Sequence, residues 1–270
     1  MTAAPDFGAL SAAAARGDHP AVIRLAGEIL AQRPGDDAAY ELRARSLQAV
    51  GRLDEAEADA KAAVRLDPDE IRYRELLAQV LSAAGAHREA AEEYARLARL
   101  DPRQPEWIRA EAAERLASAD AEAAVEAARR ALRLDPNDAT AQLALAHGLL
   151  RAGQAHPALE AAQRAVALTP GDPRAGEAEA DARWLAGDES GAVAAYAALA
   201  REEAGEVRDA AVDKARALYR SRAGLGGRLL AALRPLFAAA LRRGWLRIRP
   251  RAPDRGPAGG GSATRPPSQG

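Results

Sequence analysis

Gly51-Arg52-Leu53-Asp54-Glu55-Ala56 begins a stretch that closes on Leu66-Asp67-Pro68, and its two breakers recur on either side at a fixed interval. Prolines stand 34 residues apart at Pro34, Pro68, Pro102, Pro136 and Pro170. Glycines keep the same interval at Gly17, Gly51, Gly85, Gly153 and Gly187, with Ala119 in the one gap. A chain punctuated in this way is an array of one supersecondary unit, because each unit must stop, turn and restart at the same place.

Six units follow from the register: 3–36, 37–70, 71–104, 105–138, 139–172 and 173–206. Each reads as helix, turn, helix. In the second, a helix from about Ala38 to Val50 stops at Gly51, where a residue without Cβ closes the helix in the left-handed region. A second helix runs from about Leu53 to Leu66 and ends at Asp67-Pro68, since the residue before a proline is pushed out of helical geometry. Asp36, Asp69, Asp138 and Asp172 stand where N-caps of the following helices belong. Pro20 and Pro157 fall in first turns, where a missing N–H costs little.

Small residues keep the period too. Position eight holds Ala44, Ala78, Ala112, Ala146 and Ala180, with Leu10 in the first unit; position twenty holds Ala56, Ala90, Ala124, Ala158 and Ala192, with Val22 in the first. Alanine at these points lets paired helices approach closely, while Leu47, Leu53, Leu81, Leu149, Tyr94 and Tyr196 fill the remaining seams. No unit can bury its apolar face alone, so neighbours stack into a solenoid.

Small residues at positions eight and twenty with proline at thirty-two resemble the tetratricopeptide repeat, over residues 3–206. Units two, three and five fit best. Unit four lacks the turn glycine and unit six has Ala204 in place of the proline, so the array is expected to bend or loosen at those points. The resemblance implies an all-α, right-handed solenoid whose concave groove is lined mainly by first helices and binds peptides or proteins without catalysis. Groove positions carried over from the family are Glu41, Arg45 and Gln48, then Arg72, Glu75 and Gln79, then Arg109, then Leu143, His147 and Arg151, then Arg174, Glu177 and Trp184. Five of these are arginines, which either receive carboxylates in bidentate fashion or pair with nearby glutamates on a solvated face. Trp184 is the aromatic candidate for a contact hot spot. The family members that clamp a C-terminal carboxylate of a chaperone use lysines and asparagines at groove positions; none occurs there, which removes that class of partner.

Net charge conceals a division. Residues before Val207 carry 24 basic and 36 acidic side chains, and those from Val207 onward carry 14 basic and three acidic ones. Within the basic part, 207–222 reads as a capping helix whose Val207, Ala211 and Leu218 cover the apolar face left open by unit six. Gly224, Gly226 and Gly227 mark a break. In 223–249, Leu229, Leu230, Leu233, Leu236, Phe237, Leu241 and Ile248 share one helical face, Pro235 is expected to start a second short helix, and Arg242, Arg243 and Trp245 lie nearby. That face can fold back on the array, meet a second subunit or another partner, or lie on an anionic membrane surface, where each basic residue contributes about 1 kcal/mol. Nucleic acid is not expected, because the arginines come without a set of stacking aromatics. Residues 250–270, rich in Pro, Gly, Arg and Ser, cannot bury enough to order themselves.

No enzyme chemistry is legible. The chain has no cysteine, so thiolate metal sites and disulfides are excluded. His19, His87, His147 and His156 form no HExxH motif, and neither glycine cluster has the lysine and hydroxyl residue of a phosphate loop. No cofactor is expected. Met1 to Gly17 has no basic leader, so no secretory signal is expected, and Leu229 to Leu241 falls short of the roughly 20 apolar residues of a membrane span. The sequence thus points to a cytoplasmic, non-catalytic scaffold or adaptor for a protein or peptide. The alternatives are an assembly protein held peripherally at the inner face of a membrane by its basic helix, and an accessory arm to a separately encoded transferase. Oligomeric state is not legible.

Overall fold

The computed structural model describes residues 6–202 and 209–214. Among the described residues the regular structure is all helical. First helices of the units are α1 (Phe7–Ala15), α3 (Asp37–Ala49), α5 (Ile71–Ala83), α7 (Pro105–Ala117), α9 (Ala139–Arg151) and α11 (Pro173–Leu185). Second helices are α2 (His19–Gln32), α4 (Leu53–Leu66), α6 (His87–Leu100), α8 (Ala121–Leu134), α10 (Ala155–Leu168) and α12 (Glu189–Glu202). A further helical stretch covers 209–214. Each helix packs on the next in chain order from α1 to α12, which is the α-solenoid that the repeat requires.

The turn within each unit is built from two hydrogen bonds that satisfy carbonyls at the helix end. Gly85 donates to the Ser82 carbonyl and Ala86 to that of Leu81, at 3.0 and 2.9 Å; Gly51 and Arg52 do the same with Gln48 and Leu47. Gly51 and Gly85 sit at φ +78° and +77°. The gap in the glycine comb keeps the same turn. Ala119 takes φ 62°, donates to the Leu116 carbonyl at 3.1 Å, and lets Asp120 donate to Arg115 at 2.9 Å. The tight turn is held at the cost of putting a Cβ in the left-handed region.

Between units, side-chain caps restart the helices. Asp36 accepts from the Ala39 amide at 3.0 Å and Asp138 from Ala141 at 3.0 Å; Asp172 accepts from Arg174 at 2.9 Å. The cap of α5 is Glu70, not Asp69: Glu70 accepts from the Arg72 amide at 3.2 Å, while the Asp69 amide is bound to the Asp67 carboxylate.

Packing follows the small-residue register without exception. All twelve residues at positions eight and twenty, Leu10 and Val22 included, are 0% exposed. Leu47, Leu81, Leu149 and Tyr196 are buried in the seams, whereas Leu53 and Tyr94 are half-buried. Ion pairs on buried carboxylates also hold the paired helices. Arg43 clamps Asp59 through two bonds of 2.6 and 2.7 Å across α3 and α4; Arg74 meets Glu93 at 2.7 Å across α5 and α6; Arg130 meets Glu111 at 2.9 Å across α8 and α7.

Residues 209–214 cover part of the last unit. Ala211 is buried against Ala180, Val193, Tyr196 and Ala200. Val207, Leu218 and Ala204 lie outside the described residues. So do the whole of 223–249, with Leu229, Leu233, Leu236, Phe237, Leu241, Arg242, Arg243 and Trp245, and the tail 250–270.

Candidate binding groove

First helices also touch one another across the units, α3 with α5, α7 with α9 and α9 with α11. A stack whose odd helices meet each other as well as their even partners puts the odd helices on its inner side. Cross-unit bonds fasten that face. Ser82 and His87, on α5 and α6, both hold the Glu114 carboxylate of α7, at 2.6 and 2.8 Å. His19 and Ser46, standing two units earlier at the positions of His87 and Glu114, lie 3.4 Å apart. The Arg151 guanidinium of α9 donates to the Leu116 carbonyl of α7.

Each of the five arginines has an acceptor on its own chain. Arg45 meets Glu41 at 2.9 Å, and Arg72 approaches the same carboxylate from the next unit at 3.9 Å while bonding Glu70 at 3.1 Å. Glu41 is only 8% exposed, a shared anchor beneath two cations. Arg109 pairs with Glu106 at 2.8 Å and Asp138 at 3.2 Å. Arg174 holds Asp172 through 2.9 and 3.1 Å contacts, and Arg151 is on Leu116 as above. Four of the five guanidinia are therefore paired with carboxylates and the fifth with a carbonyl, and an incoming carboxylate would have to compete for them.

The uncharged candidates are spread differently. Gln79 is exposed and bonded by Glu75 at 3.0 Å; Gln48, His147 and Trp184 are half-buried, and Leu143 is buried. Burial holds the His147 imidazolium below the usual histidine range. Glu177 and Asp181 pull its proton affinity up, and Arg151 and Arg174 push it down.

One contact of the groove has its legible signal in the repeat register. Lys214 occupies position eight of the seventh 34-residue frame, where units two to six all have alanine. Its ammonium lies 2.5 Å from Glu177 and 3.3 Å from Asp181, groove positions five and nine of α11. The ammonium also sits 5.6 Å from the centre of the Tyr196 ring, and the Tyr196 hydroxyl donates to Asp181. Both effects, burial and the neighbouring Asp181 carboxylate, raise the Tyr196 pKa. The described residues contain no group of three or more His, Cys, Asp or Glu able to hold a metal ion, and no helix long and apolar enough to cross a membrane.

Comparison with known proteins agrees with this architecture. A tetratricopeptide-repeat family profile matches residues 13–80. A tetratricopeptide repeat protein from Parabacteroides merdae superposes with a TM-score of 0.60 at 15% identity, over 83% of this chain and 94% of that one. MamA from Desulfovibrio magneticus RS-1 gives 0.53 at 18%, over 69% and 96%. YrrB, described as a TPR protein with an unusual peptide-binding site, gives 0.50 at 17%, over 78% and 97%. At these identities the likeness is one of fold. No curated protein matches the chain. The profile places tetratricopeptide repeats within residues 13–80, and the 34-residue register, the twelve sealed positions that it generates and the stacked helix pairs carry the same fold on to α12.

Proposed function

We propose that the array is a non-catalytic scaffold that holds a protein or peptide against the concave face formed by its odd-numbered helices. One within-chain contrast carries this reading. Positions eight and twenty vary little from unit to unit and are fully buried, so they serve the stack. Position twelve, on the odd helices, runs Ala14, Gln48, Ser82, Leu116, Leu150, Trp184. Those six side chains are all half-buried, so they are partly open to a ligand, and their variety gives each unit a different contact. The peptide-binding site in the description of YrrB, a protein of similar fold, supports the same use here. Contacts proposed for the partner are Arg45, Gln48, Arg72, Gln79, Arg109, His147, Arg151, Arg174 and Trp184, with Trp184 as its hydrophobic anchor.

The test is affinity capture with the full chain from the cells that make it, beside Trp184→Ala and a control on the opposite surface, Gln163→Ala. Capture lost with Trp184→Ala and kept with Gln163→Ala is the expected result. Equal capture by all three overturns the groove assignment.

A second reading is favoured by the charge division between the array and residues after 207. In it the basic segment 228–249 recruits a cytoplasmic array to the inner face of an anionic membrane. Flotation with anionic but not neutral vesicles, abolished by added salt, is its signature; the absence of flotation with either removes it. An accessory arm to a separately encoded transferase would use the same groove and add no catalytic residue.

A further inference from the structure

Position twelve changes character midway along the groove. Gln48 and Ser82 give way to Leu116, Leu150 and Trp184, all half-buried. Of the helices that carry these three, α9 packs directly on both α7 and α11. The bond from Arg151 to the Leu116 carbonyl fixes α9 on α7 where the stripe crosses between them. Next to Trp184, Leu185 is 42% exposed. The C-terminal half of the groove thus offers an apolar stripe, where Gln48 and Ser82 of the N-terminal half offer an amide and a hydroxyl. A contiguous apolar patch rimmed by polar groups is the usual mark of a contact surface.

The end of the described chain indicates the occupant. Lys214 rests on Glu177 and Asp181, so the residues after it start at the C-terminal mouth of the groove. Those 56 residues contain 12 arginines and one acid, Asp254, but within 229–241 the one charged residue is Arg234, so this apolar stretch meets little opposition from the groove's own arginines. They also contain Leu229 and Leu233 and, after Pro235, Leu236, Phe237 and Leu241, at helical spacing on either side of the proline. The intervening 215–228 is 14 residues, with a reach of about 46 Å when extended. Crossing from α11 to α7 takes about 20 Å at ordinary helix spacing, so the connection is long enough.

We propose that residues 229–241 lie along the groove stripe of their own chain, as an internal occupant that an outside partner must displace. This rests on the groove being a binding face, and it adds what fills that face in the free protein. The apparent affinity for a partner then falls by the fraction of molecules whose groove is open.

Because the chain has no cysteine, the test is a pair of double variants of the full chain oxidised in dilute solution with oxidised glutathione. Ala117→Cys, exposed at the end of α7, with Ala239→Cys probes the groove. Gln163→Cys, exposed on α10, with the same Ala239→Cys probes the other side. Intramolecular proximity should close the first pair at least about tenfold faster than the second, and adding Leu150→Glu should remove the advantage. Equal rates, or a faster second pair, overturn the proposal. A disulfide formed only between chains also overturns it and makes a second copy the occupant. If the internal disulfide fails while capture still depends on Trp184, self-occupancy falls and the scaffold reading stands. If the disulfide forms but no partner depends on Trp184, the scaffold reading falls instead.

Discussion

Arg74 and Glu93 face each other at 2.7 Å across the α5–α6 seam, with side chains only 10% and 9% exposed. Arg74 also donates to the Pro68 carbonyl, so one buried guanidinium ties together both helices of unit three and the turn before them. Arg74→Ala should cost about 3 kcal/mol, since it leaves a buried carboxylate with only the more exposed Arg96 as partner. Arg74→Met with Glu93→Leu should recover most of that loss, because the pair's own desolvation penalty disappears with it. Urea midpoints of the three chains check both statements. Unit five already has an uncharged version, with Gln142 at position four bonding the Pro136 carbonyl at 3.5 Å and Ala161 opposite.

The turns give a pair of opposite outcomes. A Cβ at Gly85 would meet nothing within 4 Å, so Gly85→Ala isolates the cost of an L-residue at φ +77°, about 1 kcal/mol of stability lost. Ala119 already bears that cost at φ 62°. Ala119→Gly should therefore stabilise the array by about 0.5–1 kcal/mol, after subtracting the glycine's greater freedom in the unfolded chain. Thermal unfolding of both variants beside the parent decides.

His147 gives the groove its own pH response. Its folded-state pKa lies below the unfolded value, chiefly from burial, so between the two values the unfolded chain holds more protons. Stability from this residue is complete above about pH 6.5 and declines as the pH falls toward the depressed value, below which the loss is full. Asp172, whose pKa is lowered by its bond to Arg174, loses its contribution only at more acid pH, below the ordinary carboxylate range. Urea midpoints between pH 7.5 and 5 should fall for the parent and fall less for His147→Gln.

The cap can be probed at two residues of unequal weight. Lys214, Glu177 and Asp181 are each about two-fifths exposed, so Lys214→Ala should cost no more than about 1 kcal/mol. Ala211 is 5% exposed in the last apolar cluster, and Ala211→Asp puts a charge there at a cost of about 2 kcal/mol or more. In a one-dimensional stack that loss should fall on the last unit. Hydrogen exchange should therefore accelerate in α12 for Ala211→Asp and stay near the parent rate in α3 and α4.

Legibility differed between fold and groove for a physical reason. A helix stop is decided by one residue, so Gly51 or Pro68 reveals itself at its own position, and a 34-residue comb of such residues spells out the array. Alanine at positions eight and twenty was equally plain, because close packing requires it in every unit. The α5 cap moved by one residue because Asp69 and Glu70 are adjacent acceptors, and only the turn geometry chooses Glu70. The charged contacts were harder still. Arg45 and Arg72 meet on Glu41, His87 and Ser82 on Glu114, and Lys214 on Glu177, between residues up to 37 apart whose pairing depends on stacking angle. Only Lys214 left a trace, as a lysine where the register calls for alanine.

The most direct test of the scaffold account is a hydrogen-exchange footprint of a captured partner on the full chain. Protection along one side of α7, α9 and α11, with α8 and α10 unchanged, is the predicted pattern. Protection confined to the even-numbered helices, or none on the array, would contradict it.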